Sequence, residues 1–65
     1  MEKITIGKVK AGDRIKRNWR GKPDGEYMNI DRVESFRGAV WHQLYSASGG
    51  LLLAGGSATK VWVER

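Results

Sequence analysis

Eight of the first 22 residues are basic: Lys3, Lys8, Lys10, Arg14, Lys16, Arg17, Arg20 and Lys22 stand against only Glu2 and Asp13. The rest of the chain carries five acids and four bases, so nearly all of the formal net charge of +5 lies in the leading third. A one-sided positive field attracts polyanions, above all nucleic acid. Trp19 sits among these cations. Ammonium and guanidinium groups neutralise phosphates, while an aromatic face stacks on an unpaired base for ~1–3 kcal/mol per base. Lys8, Lys10, Arg14, Lys16, Arg17, Trp19, Arg20 and Lys22 are therefore the expected nucleic-acid contacts, with Trp62 as a further exposed aromatic. The competing expectation is a solvated β face whose lysines protect a sheet edge. Alternation in a flat strand forbids Lys8, Lys10, Lys16 and Arg17 from all pointing one way.

Residues suited to catalysis are scarce. His42 is the only imidazole, and there is no thiol. His42 and Ser46 share one face of an expected strand, but four strand residues span ~13 Å, beyond hydrogen-bond reach. Asp31 and Glu34 fall on opposite faces of a regular strand and make a poor acid–base pair. Gly49-Gly50 and Gly55-Gly56 lack the following helix and the Gly-Lys-Ser/Thr of a phosphate loop. A single His without Cys excludes an ordinary zinc set. The expectation is a binding protein with no catalytic residues, metal or cofactor, in which His42 is a half-buried residue with its polar groups satisfied.

The element pattern must account for how such cations are held. Sixty-five residues make one domain, 1–65, at a size that buries only ~60% of the unfolded chain's surface. With no disulfide, stability has to come from a tight apolar core, from self-association or from a partner. No apolar run approaches the ~20 residues of a bilayer span and no signal-like apolar segment follows the basic N-terminus, so a cytoplasmic protein without membrane contact is expected.

Nine glycines and a single proline break the chain too often for helices. Period-two alternation instead predicts strands at Lys3–Val9, Arg14–Trp19, Glu26–Glu34, Ala39–Ala47, Leu51–Leu53 and Thr59–Glu64. Turns are expected at Lys10–Asp13, Arg20–Gly25, Phe36–Gly38, Ser48–Gly50 and Gly55–Ser57. Val33 breaks the face shared by Met28 and Ile30, which predicts a bulge near Asp31-Arg32. Val61 and Val63 facing in turn Trp62 out. On the fourth strand, Trp41 is expected to be buried at the expense of His42, because so small a core needs a large filler. Leu51, Leu52 and Leu53 show no alternation, so one apolar face is left for self-association unless a Leu caps the core.

Five or six short strands in so short a chain point to a small all-β barrel, in which closure hides the sheet edges. Gly12-Asp13-Arg14-Ile15, Gly21-Lys22, Gly25, Ile30 and Val33 together resemble the KOW-type pattern of SH3-like small barrels, over positions 12–33. The resemblance implies a five- or six-stranded SH3-like barrel that binds RNA, DNA or a protein of the transcription or translation machinery. The resulting expectation is a non-enzymatic nucleic-acid-binding module with little sequence specificity. The alternative is a protein–protein module, of the kind phage and mobile elements encode, that binds a host factor or forms homo-oligomers through Leu51–Leu53.

Overall fold

A computed structural model describes residues 1–65. Strands occupy 58% of the chain and there is no α-helix. The order is β1 (Glu2–Thr5), a 3-10 turn (Ile6–Lys8), β2 (Arg14–Trp19), β3 (Lys22–Asn29), β4 (Arg32–Phe36), β5 (Trp41–Tyr45), β6 (Leu51–Gly56) and β7 (Lys60–Val63). They form two antiparallel sheets, one ordered β1-β7-β2-β3 and the other β4-β5-β6. No helix is long and apolar enough to cross a membrane.

Eight apolar side chains make the core between the sheets: Ile4, Ile6, Val9, Ile15, Ile30, Leu44, Val61 and Val63. All but Leu44 are β-branched, the class that packs best on a pleated surface. Met28, Val33, Leu52 and Leu53 pack around them, half-buried. Alternation sends Ile15, Val61, Val63 and Ile4 inward, and sends Lys16, Trp62 and Lys3 outward.

The chain passes between the sheets at two corners. The N–H of Ile30 donates to the carbonyl of Asp13 beside the first sheet, whereas the N–H of Asp31 donates to Tyr45 in the second. The expected strand Glu26–Glu34 is thus two strands. A corner, rather than a bulge at Asp31-Arg32, lets Ile30 and Val33 both face the core. At the second corner Ser57 donates to the carbonyl of Val40, and Ile6 donates to that of Thr59. The first predicted strand stops at Thr5, where the 3-10 turn begins, although β1 and β2 stay in one sheet. The 3-10 turn at Ile6–Lys8 swings Ile6 and Val9 under the core and leaves Lys8 in solvent.

The long loop expected at 20–25 is only a two-residue turn. Trp19 faces Lys22, so Arg20-Gly21 alone connects β2 to β3. Pro23 lies within β3, where it faces Asn18. It is tolerated because β3 is an edge strand and a missing N–H there breaks no inner ladder. The second sheet ends at β6, and a cleft lined by Gly25, Tyr27 and Met28 of β3 and by Leu52 and Leu53 of β6 separates the two edges. The seven strands therefore enclose the core without closing into a continuous barrel.

Candidate nucleic-acid interface

The outer face of the four-stranded sheet gathers cations and aromatics in one row. Trp62 on β7 faces Lys3 on β1 and Lys16 on β2 in direct register. The Lys3 ammonium lies 5.7 Å from the centre of the Trp62 ring. On the far side of Lys16, Gly25, Glu26 and Tyr27 all stand opposite that one residue, because the ladder passes from Met28 facing Ile15 to Asp24 facing Arg17. The extra backbone lets Tyr27 lean over the face. Lys16 sits 4.6 Å and the Arg14 guanidinium 3.9 Å from its ring centre. Lys3, Trp62, Lys16 and Tyr27 thus follow one another across β1, β7, β2 and β3, with Arg14 of β2 on the same phenol; the three cation–ring contacts are worth ~0.5–1 kcal/mol each where exposed.

Trp62 is half-buried and pinned. Its Nε1–H donates to Asn18 Oδ1 at 2.9 Å. Glu64, as a hydrogen-bond acceptor for the phenol, pushes the Tyr27 pKa above the ordinary 10.0; desolvation and the Glu64 charge act in the same direction, and Arg14 opposes them. Tyr27 therefore remains a neutral phenol throughout the physiological range.

The expected basic residues do not all meet here. Arg14 and Lys16 lie on the row. Arg17 points to the opposite side of β2, beside Leu52 and Leu53, and Asp24 neutralises it through contacts of 2.8 and 2.9 Å. Arg14 is closer to free, with Glu64 at 3.8 Å. Lys8 and Lys10 belong to the segment leading into β2, near Arg65, which donates to the Lys8 carbonyl and pairs with Asp13 at 3.1 Å. Trp19, Arg20 and Lys22 form the tip of the β2–β3 hairpin, where Trp19 is 60% exposed and the Arg20 guanidinium lies 5.4 Å from its ring centre. None of Lys3, Lys8, Lys10, Lys16, Arg20 and Lys22 has a carboxylate partner.

Lys3, Asn18 and Tyr27 were not among the expected contacts. Lys3 and Trp62 are 59 positions apart in the chain, and only the β1–β7 ladder makes them neighbours. Period-two alternation does put Asn18 on the face of Lys16, and that much was legible.

Trp41 corrects the sequence expectation. It is 42% exposed, while His42 is 4% exposed. The inner face of β5 is set by Leu44, and His42 shares its parity. The imidazole lies against Gly7, where a Cβ would come within 3.0 Å of Nε2, and Nδ1 is 2.9 Å from Ser35 Oγ. His42 is thus a core histidine partnered by Ser35, and no carboxylate orients the ring. No three His, Asp or Glu side chains converge to hold a metal. Of the three leucines, Leu52 and Leu53 pack against the core and only Leu51, 55% exposed, faces solvent. Compared with known protein families, curated proteins and solved structures, the chain matches none.

Proposed function

We propose that this protein is a non-enzymatic nucleic-acid-binding module that holds a phosphate backbone on the outer face of its four-stranded sheet. The observation that carries this reading is the cross-strand row Lys3–Trp62–Lys16, continued by Tyr27 and Arg14. Its ammonium groups lack carboxylate partners, and the rings beneath hold them in place. Because cations already lie over those rings, the face offers charge more than bare aromatic surface. Affinity is then mainly electrostatic and little concerned with base sequence. We read the two sheets as an SH3-like small barrel opened between β3 and β6, a shape that by itself selects no ligand.

Titration of the protein with fluorescent oligonucleotides at two salt concentrations tests this. Log affinity is expected to fall linearly with log salt, by roughly 0.7–0.9 for each phosphate contacted. No binding at the lower salt would overturn the reading.

One observation favours the second reading, a protein–protein module. β6 is a sheet edge of sequence Leu-Leu-Leu-Ala-Gly-Gly, without the charges that usually blunt such edges. Pairing of this edge with a second copy or a host protein would bury Leu51. Leu51→Asp is the appropriate probe, because Leu52→Asp would place a charge against the core. Sedimentation showing an oligomer that Leu51→Asp dissociates, without nucleic-acid binding, would favour this alternative.

A further inference from the structure

Only three non-glycine residues have positive φ: Arg20 at 51°, Arg37 at 54° and Ala39 at 71°. All three lie at hairpin tips, and the two arginines occupy the same local sequence. Trp19-Arg20-Gly21 ends the β2–β3 hairpin and Phe36-Arg37-Gly38 ends the β4–β5 hairpin. In each, Arg and the following Gly are left-handed, Gly21 at 81° and Gly38 at 68°. The first is a two-residue turn with both central φ positive, a geometry for which Asn and Gly are the favoured residues at the first position. An Arg there carries a backbone cost that neither Asn nor Gly would carry to the same degree.

Both strained arginines are at the surface and without carboxylate partners. Each follows an exposed aromatic, Trp19 at 60% and Phe36 at 42%; Trp41 and Val40 extend the second apolar surface. The topology sets the tips at one end of the molecule. Continuing the β2–β7 register past Arg17–Val61 brings Trp19 level with Thr59, and Val40 accepts from Ser57. By strand direction both tips lie toward the N-terminal end of β7, in a molecule 27 Å in its longest dimension.

We propose that the two aromatic-Arg-Gly tips grip unpaired nucleotides, each Arg on a phosphate, with Phe36 and the face of Trp19 away from Arg20 stacked on bases. This rests on the nucleic-acid reading above and assigns its preferred ligand as a single strand. A duplex keeps its bases stacked on one another and has no free face to offer such tips. The charged sheet face serves either form; the tips distinguish them.

The test compares a short fluorescein-labelled oligothymidine strand with a duplex of equal length at low salt. Wild type is expected to bind the single strand more tightly. Trp19→Ala with Phe36→Ala is expected to weaken single-strand binding about tenfold or more, in line with loss of stacking, and to leave duplex binding unchanged. Arg20→Asn with Arg37→Asn relieves the backbone, so its Tm is expected to rise while single-strand affinity falls about tenfold. Single-strand affinity unchanged in both double variants would overturn the grip and leave the sheet-face reading standing. Wild type that binds neither oligonucleotide would overturn both.

Discussion

Asn18 and Trp62 lie 44 residues apart, yet the Asn18 amide oxygen accepts the indole N–H of Trp62 at 2.9 Å. This bond ties the outer end of β2 to β7 and fixes the ring that separates Lys3 from Lys16. Asn18→Ala leaves a half-buried indole N–H without its partner. A loss of about 1 kcal/mol is expected, seen as a lower urea midpoint with an unchanged slope. A midpoint equal to wild type would mean that solvent replaces the amide at no cost.

Lys16 and Arg17 are adjacent in sequence and point to opposite sides of β2. Lys16 is free on the charged row, whereas Arg17 is occupied by Asp24. Lys16→Ala is expected to weaken oligonucleotide binding and to reduce the salt slope by about 0.7–0.9. Arg17→Ala is expected to change the slope little. Equal effects from the two would show that the outer face is not the binding face.

Gly55 lies directly beneath Thr59. A Cβ on Gly55 would come within 2.5 Å of the Thr59 Oγ1, 3.0 Å of its Cβ and 3.1 Å of its Cγ2. Thr59 is β-branched and stands at the corner between the sheets, where Ile6 and Gly56 hold its backbone. It has little room to rotate away. Gly55→Ala is expected to cost about 1–3 kcal/mol, measured by thermal or urea unfolding. Thr59→Ala in the same background removes both Oγ1 and Cγ2 and should recover part of the loss.

Tyr27 has a raised pKa because the Glu64 carboxylate, as a hydrogen-bond acceptor and as a negative charge, favours the protonated phenol, and desolvation disfavours the phenolate. The folded chain thus retains this proton more strongly than the unfolded chain. The resulting stability is fully present below pH 10 and is lost as pH rises through the higher folded value. The near-ultraviolet tyrosinate signal of wild type minus that of Tyr27→Phe isolates this titration, and its midpoint is expected above 10. Glu64→Gln should bring the midpoint down, since the opposing Arg14 charge then acts unbalanced.

The strands were legible wherever one side of the alternation is β-branched. Ile4, Ile15, Val61 and Val63 identified their strands and their buried faces, and with them the outward direction of Trp62. Trp41 was misplaced because the size of a side chain was set above its parity. His42 can be buried only because Gly7, from a segment 35 positions earlier, supplies a flat surface and Ser35 a hydrogen bond. Neither contact leaves a mark in the local pattern around β5.

Composition and alternation by themselves determined an all-β chain, a basic leading segment, and the outward turn of Lys16 and Trp62. Those properties depend on residue type and on the two-residue repeat of a strand, both of which are local. The tertiary structure decided which charges remain free. Asp24 neutralises Arg17 across a hairpin, and Trp62 comes between Lys3 and Lys16. Such pairings follow from strand order and register, which join residues far apart in the chain and are settled only when the sheets close over a common core.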